Sequence, residues 1–205
     1  MEVLAHSLQL FEEYDFFLAS ASPRRAQLLT LIELDFKIIA SSINEDNIET
    51  KDPVEYVKTL AHAKAKDVAK NLKKGIVIGA DTIVVLDDCV IGKPRDFSEA
   101  KDMLTQLSGR THIVYTGFSL IAQPSGKEVT DCEATSVHFR RLSSNEIDYY
   151  INTGSPFDKA GAYGIQDISA VFIDRIEGCY YNVVGFPLAK FFVTFRDFAN
   201  SFVEE

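Results

Sequence analysis

Arg24 and Arg25 stand where a helix start disfavours them. Ser22 is a suitable N-cap and Pro23 a suitable first helical residue, and Leu28, Leu29 and Ile32 then fall on one face. Cations in the first turn oppose the positive end of the helix dipole, at about 0.3–1 kcal/mol each when exposed. The helix starts expected after Asp52, Asp96 and Ser143 instead carry Glu55, Glu99 and Glu146 at the capping-box position. A rule kept three times and broken once marks a candidate site. Backbone N–H groups and two guanidinium groups at the end of a strand suit a phosphate or a carboxylate. A solvated arginine pair in surface salt bridges is the blander account.

Asp81 is the second anomaly. It ends the apolar run Ile76–Gly79 in Gly79-Ala80-Asp81-Thr82. A buried acid is costly unless paired or bound to a metal, so Asp81 suits a divalent-ion ligand or a general base. A turn or N-cap aspartate would look the same. Lys93, in the stiff turn Ile91-Gly92-Lys93-Pro94, is close in sequence to Asp81, and a hairpin of that length can bring them together. The run from Gly154 to Gln166 mixes small residues with the adjacent charges Asp158 and Lys159, a composition that often lines a ligand. It matches neither the Walker nor the dinucleotide pattern. Glu45 lies in a polar stretch, and Lys64 interrupts the apolar stripe of its helix, as a snorkelling lysine also would. His62, His112 and His138 have no mutual metal-ligand spacing and read as structural.

The elements that must position these residues alternate between strand and helix patterns, which predicts a mixed α/β fold. Strands are expected at Tyr14–Ala19, Phe36–Ala40, Ile76–Gly79, His112–Ala122 and Glu128–Arg140. Ile83–Leu86 and Cys89–Ile91 should form a hairpin about Asp87-Asp88, and Ala170–Ile176 a second hairpin with Tyr180–Val184. Helices are expected at the four capped starts and from Pro187, where Leu188, Phe191, Phe192 and Phe195 share a face. Residues 1–13 read as an N-terminal extension, either a short helix or a frayed tail.

Composition narrows the class. The 205 residues carry 21 Lys and Arg against 30 Asp and Glu, a formal charge of −9, which repels a long polyanion and argues against a polymeric nucleic-acid partner. No apolar run approaches the roughly 18 residues a membrane span needs. The acidic N-terminus lacks the basic region of a signal peptide, and Cys89, Cys132 and Cys179 form neither a zinc pattern nor a disulfide framework, so a cytoplasmic protein is expected.

In order, Leu18 to Arg25, Ile78 to Thr82, Gly92-Lys93-Pro94, Leu107 to His112 and Asp158 to Gln166 resemble the Maf family of nucleoside triphosphate pyrophosphatases. The resemblance runs from Phe17 to the C-terminal helix and treats 14–205 as one domain. It implies a mixed twisted sheet with flanking helices, two lobes around a central cleft, similar to inosine triphosphate pyrophosphatases, and often a homodimer. It implies cleavage of a nucleoside triphosphate to the monophosphate and pyrophosphate with Mg²⁺, Mn²⁺ or a similar ion. Asp81 matches the proton acceptor, and Arg24, Thr82 and Gln166 match positions marking the dTTP/UTP branch. Ser22, Arg25, Glu45, Lys64, Lys93, Asp158 and Lys159 fall on cleft positions, with Glu45, Asp81 and Asp158 expected around the metal. Ser155 and Asp167 stand where the family commonly has Glu and Gly. Preference for another or modified nucleotide, or nucleotide binding without turnover by a regulator of cell division, are the alternatives.

Overall fold

The computed structural model describes residues 11, 13–45, 50 and 52–203. Seven strands form one mixed sheet: β1 (Phe16–Leu18), β2 (Lys37–Ile38), β3 (Gly75–Leu86), β4 (Cys89–Ile91), β5 (Thr111–Gln123), β6 (Glu128–Phe139) and β7 (Ile173–Glu177). Their order is β2-β1-β3-β5-β6-β7, and β4 also pairs with β3. Six α-helices accompany them among the described residues: α1 (Pro23–Leu31), α2 (Pro53–Ala69), α3 (Phe97–Leu107), α4 (Ser144–Asn152), α5 (Tyr180–Val184) and α6 (Leu188–Asn200). The expected α/β class is the observed one. The chain divides into two compact units, Met1–Asp81 with Thr116–Glu133 and Gly185–Glu205, and Thr82–Tyr115 with Ala134–Val184.

In the first unit β1 runs parallel to both neighbours, with Phe17 opposite Lys37 and Val77. Helix α2 opens as expected, the Asp52 side chain accepting from the Val54 N–H. Its apolar face, including Val57, Leu60, Ala61, Ala65 and Val68, is buried. Two glycines let it settle onto the sheet. A Cβ on Gly79 would lie 2.2 Å from the Ala61 carbonyl oxygen and 2.7 Å from the Ala65 nitrogen, and one on Gly117 would lie 2.4 Å from the Val57 oxygen. That close approach brings the polar position on the same helix, Lys64, down to β3. Of the expected N-terminal extension, residues 1–10 and 12 lie outside the described residues. Phe11 is 2% exposed and packs with Tyr14, Phe16, Phe195, Phe198 and Phe202, so the end of this segment joins the aromatic face of α6.

In the second unit β3 and β4 form the expected hairpin. Leu86 pairs with Cys89, and Asp87 and Asp88 both have positive φ, as a type I′ turn requires. Helices α3 and α4 bury Leu104, Leu107, Ile147 and Tyr150 in a core shared with Val84, Val114, Val137 and Phe139. The Asp96 cap forms, and Ser143 and Glu146 complete a reciprocal capping box.

Two expectations change. The strand does not end before Asp81; β3 runs unbroken through it, because the carboxylate has a cationic partner, described below. Tyr180–Val184 is helix α5 and no hairpin partner for β7, which pairs with β6 instead, Val137 opposite Ile176. A short apolar run carries too few residues for its period to separate strand from buried helix. Here Asn182 decides it: the side chain is fully buried and its Nδ2 donates to the Val114 oxygen (2.9 Å) and Thr135 Oγ1 (3.0 Å).

Candidate functional site

The first unit gathers its polar residues at the ends of β1 and α1 and in the middle of β3. Asp81 is 8% exposed and is the one charged residue of β3. Its Oδ1 accepts from Lys64 Nζ at 2.6 Å, and the same ammonium lies 2.7 Å from Glu45 Oε1. The Lys64 side chain is only 12% exposed. It is therefore no snorkelling lysine; it is the cation that lets β3 carry a buried acid. Glu45 is exposed and ends a segment held by α2: Asp67, one turn beyond Lys64, accepts from Ser41 Oγ (3.1 Å), Ser42 N (2.9 Å) and Ser42 Oγ (3.2 Å). The Lys70 hydrogen bond, first, and these serines hold the Asp67 carboxyl far below its ordinary value.

The turn into α1 differs in detail from expectation. Ser22 has extended backbone but makes no side-chain cap. Ser20 binds the turn before the helix: its Oγ accepts from the Ser22 N–H (3.2 Å) and from Arg25 Nη1 (3.0 Å). Arg25 Nε donates to the Gly185 carbonyl (3.0 Å), so this guanidinium ties the turn to the chain just before α6. Burial pulls the Arg25 pKa down, Asp81 and Glu45 oppose that, and Arg24 adds to it. A guanidinium stays protonated in proteins, so Arg25 is a fixed positive charge beside two carboxylates. Arg24 lies half-buried in the same first turn.

Among the described residues no group of three or more His, Cys, Asp and Glu side chains is arranged to hold a metal ion. Glu45 and Asp81 nonetheless aim hard oxygens at one cationic atom, Lys64 Nζ. That donor set fits Mg²⁺ or Mn²⁺, which commonly take one or two carboxylates and complete their shell with water and substrate phosphates.

The second unit holds the remaining expected residues. Thr82, half-buried, follows Asp81 in β3, and Lys93 is exposed after β4. The Gly154–Gln166 segment is joined to the Lys93 turn, since the Gly161 N–H donates to the Gly92 oxygen at 2.9 Å. Gly161 has φ 72°, and a Cβ there would lie 3.1 Å from Val84 Cγ2. Lys159 folds back: Nζ donates to the Ser155 oxygen (2.5 Å) and to Asp158 Oδ1 (2.6 Å), and lies 3.4 Å from Asp167 Oδ2. Gln166 is exposed. Below the loop, His112 Nε2 and the Tyr163 hydroxyl form a buried hydrogen bond of 2.7 Å, and burial lowers the His112 pKa to about 4. His112 is structural, as expected. His62 and His138 meet Glu128 and Thr111 at 3.1 and 2.7 Å.

The structure thus assembles Arg24, Arg25, Glu45, Lys64 and Asp81 in one unit and joins the Lys93 turn to the Lys159 loop in the other. Residues 15–198 match the family model for a Maf-like protein. The chain belongs to the Maf-like family. Among relatives of this Maf-like chain, a dTTP/UTP pyrophosphatase of Thermoanaerobacter sp. (strain X514) is 51% identical over 176 residues, covering 85% of the chain and 92% of the relative. A dTTP/UTP pyrophosphatase of Carboxydothermus hydrogenoformans is 47% identical, covering 88% and 97%. One of Syntrophus aciditrophicus is 44% identical, covering 88% of each.

Sequence reading of the Maf-like chain missed Ser20 and Asp67. Ser20 left a signal, two residues before the cap in Ser20-Ala21-Ser22. Asp67 left a weaker one, three residues after Lys64 on the same helix. No helix among the described residues is long and apolar enough to cross a membrane.

Proposed function

We propose that this chain hydrolyses dTTP and UTP to the monophosphate and pyrophosphate. The observation that carries the reading is Asp81, a buried strand carboxylate 2.6 Å from Lys64, whose ammonium also meets Glu45. The names of the relatives supply the substrate class.

Asp81 takes a proton from water as the water oxygen attacks the α-phosphorus. The bond from that phosphorus to the bridging oxygen breaks, and pyrophosphate leaves with the electron pair. Ser22, Arg24 and Arg25 at the helix start receive phosphate oxygens, Arg25 with its guanidinium plane already fixed by Ser20 and Gly185. Lys64, Lys93 and Lys159 offset charge on the transferring and leaving groups. Glu45 and Asp81 would hold a divalent cation, with Asp158 added on the resemblance alone; when bound, it would neutralise phosphate charge. Gln166 reads the O4 and N3–H edge of uracil or thymine, because its amide both accepts and donates. Thr82 lies next to the proton-accepting carboxylate on the same strand.

The test is a panel of nucleoside triphosphates assayed for pyrophosphate with Mg²⁺, with Mn²⁺ and with EDTA. The expected result is metal-dependent release, highest with dTTP and UTP. Best turnover of a purine or modified triphosphate would move the substrate class, and UTP binding without product would replace the enzyme with a nucleotide-binding regulator.

A further inference from the structure

The exposed Gln166 sits on a turn that buried residues hold from beneath. The Asp167 N–H donates to the Gly164 oxygen at 3.2 Å, closing a four-residue turn with Ile165 and Gln166 at its middle. Both ends converge on Ser169. The Gly164 N–H donates to Ser169 Oγ (3.0 Å). The hydroxyl itself lies 2.9 Å from the Gly164 oxygen and 2.5 Å from Asp167 Oδ1, two acceptors for its one proton. The Ser169 N–H donates to Asp167 Oδ1 at 2.8 Å, capping the 3₁₀ turn Ile168–Phe172. The Tyr150 hydroxyl donates to Asp167 Oδ2 at 3.2 Å. Ser169 and Tyr150 are 0% and 1% exposed, so the turn is fastened to the core of its unit.

Why an exposed glutamine should need such a mount follows from its chemistry. An amide offers a donor on one side and an acceptor on the other, and turning it over exchanges them. Uracil presents an acceptor at O4 and a donor at N3, whereas cytosine presents a donor at N4 and an acceptor at N3. A glutamine free to reorient satisfies either base. It tells them apart only when the amide meets the base one way round, and that requires the turn beneath it to hold the side chain at one distance and angle from the base.

We propose that Asp167 and Ser169 are positioning residues that set the choice between uracil and cytosine by fixing the turn that carries Gln166. The inference rests on the base-reading role given to Gln166 above. A merely structural role for the same two residues predicts something different, an equal loss for every substrate.

The test compares kcat/KM for UTP and CTP in the full-length protein. Gln166→Ala is read first. If it leaves the UTP-to-CTP ratio unchanged, the base-reading role fails, and the clamp proposal with it. If it lowers the ratio, Asp167→Ala and Ser169→Ala should each lower it about ten-fold, the weight of one misplaced hydrogen bond. Asp167→Asn keeps an acceptor for the Ser169 N–H and should retain the ratio to within about two-fold. In a Gln166→Ala background, Asp167→Ala should produce no further fall, because both act through one side chain. Equal losses for UTP and CTP, or falls that multiply in the double variant, would overturn the proposal. The Asp167 side chain is 25% exposed, so Asp167→Ala decides the matter should the more buried Ser169→Ala not fold.

Discussion

Two regions of this molecule hold charged residues in place by opposite means. Around Asp81 the work is done by regular elements. A strand carries the acid, a helix carries the lysine, and Gly79 removes the bulk that would keep them apart. Around Lys159 there is hardly any regular structure. Short 3₁₀ turns are stitched by side chain to backbone bonds from Asp167, Ser169 and Thr153, and a lysine folds onto its own loop. The first arrangement fixes a side chain through packing that spans the unit. The second fixes it locally, so single changes there should alter geometry more than stability.

The sharpest way to break that contrast is to change the acid itself. Asp81→Asn keeps the shape and one acceptor for Lys64, so the fold should survive while turnover falls roughly 10²–10⁴-fold, the range for a lost general base. Steady-state kinetics with a thermal melt on the same sample check both halves.

Acid separates the two regions by pH. His112, buried beneath the loop, has a folded pKa of about 4, lowered first by burial and also by His138. The unfolded chain binds the proton near 6.5, so between pH 6.5 and 4 it holds more protons than the folded chain, and stability falls as pH falls. The loss reaches about 3 kcal/mol at the lower end of that window. His112→Gln should flatten the slope, read as melting temperature against pH. Asp67 titrates the other way round in position. Its folded pKa is depressed, so its hold on Ser41 and Ser42 is complete above the ordinary carboxylate range and is lost only on further acidification. Hydrogen-exchange protection across residues 41–45, measured relative to the unfolded chain at the same pH, should therefore hold at pH 5 and fall below about 4.

Matched glycine substitutions sharpen the comparison further. Gly79→Ala sets a methyl group against backbone atoms of α2, which must retreat as a unit, at a cost of about 1–3 kcal/mol or more. Because α2 carries Lys64, activity should fall with stability. A Cβ on Gly164 meets Lys159 Cε and Cδ at 2.7 and 2.8 Å and Asp167 Oδ2 at 3.0 Å. A lysine side chain can swing away, so Gly164→Ala should cost less than about 1 kcal/mol while raising KM. Equal destabilisation by the two substitutions would erase the distinction drawn here.

The same distinction explains what could be read in advance. The regular region was legible because its signals are periodic or capped: the α2 face, the Asp52 start, the Asp87-Asp88 hairpin and the misplaced Arg24 and Arg25 all stand in the sequence. What failed there was continuity, since an acid inside an apolar strand reads as its end until its partner is known, and Lys64 is 17 residues away. The loop was legible only as a composition. Many of its bonds join residues two to five positions apart through serine, threonine and aspartate side chains, which leave no period, and Ser169 falls just past the stretch whose small residues drew attention. Tyr180–Val184 was misread for a related reason, because the fixing contact of Asn182 lies 68 residues away at Val114.

Hydrolysis of UTP in heavy-oxygen water, with both products weighed by mass spectrometry, tests most directly whether this enzyme drives water onto the α-phosphorus. Label in the uridine monophosphate and none in the pyrophosphate is the predicted result. Label in the pyrophosphate, or release of orthophosphate in its place, would contradict it.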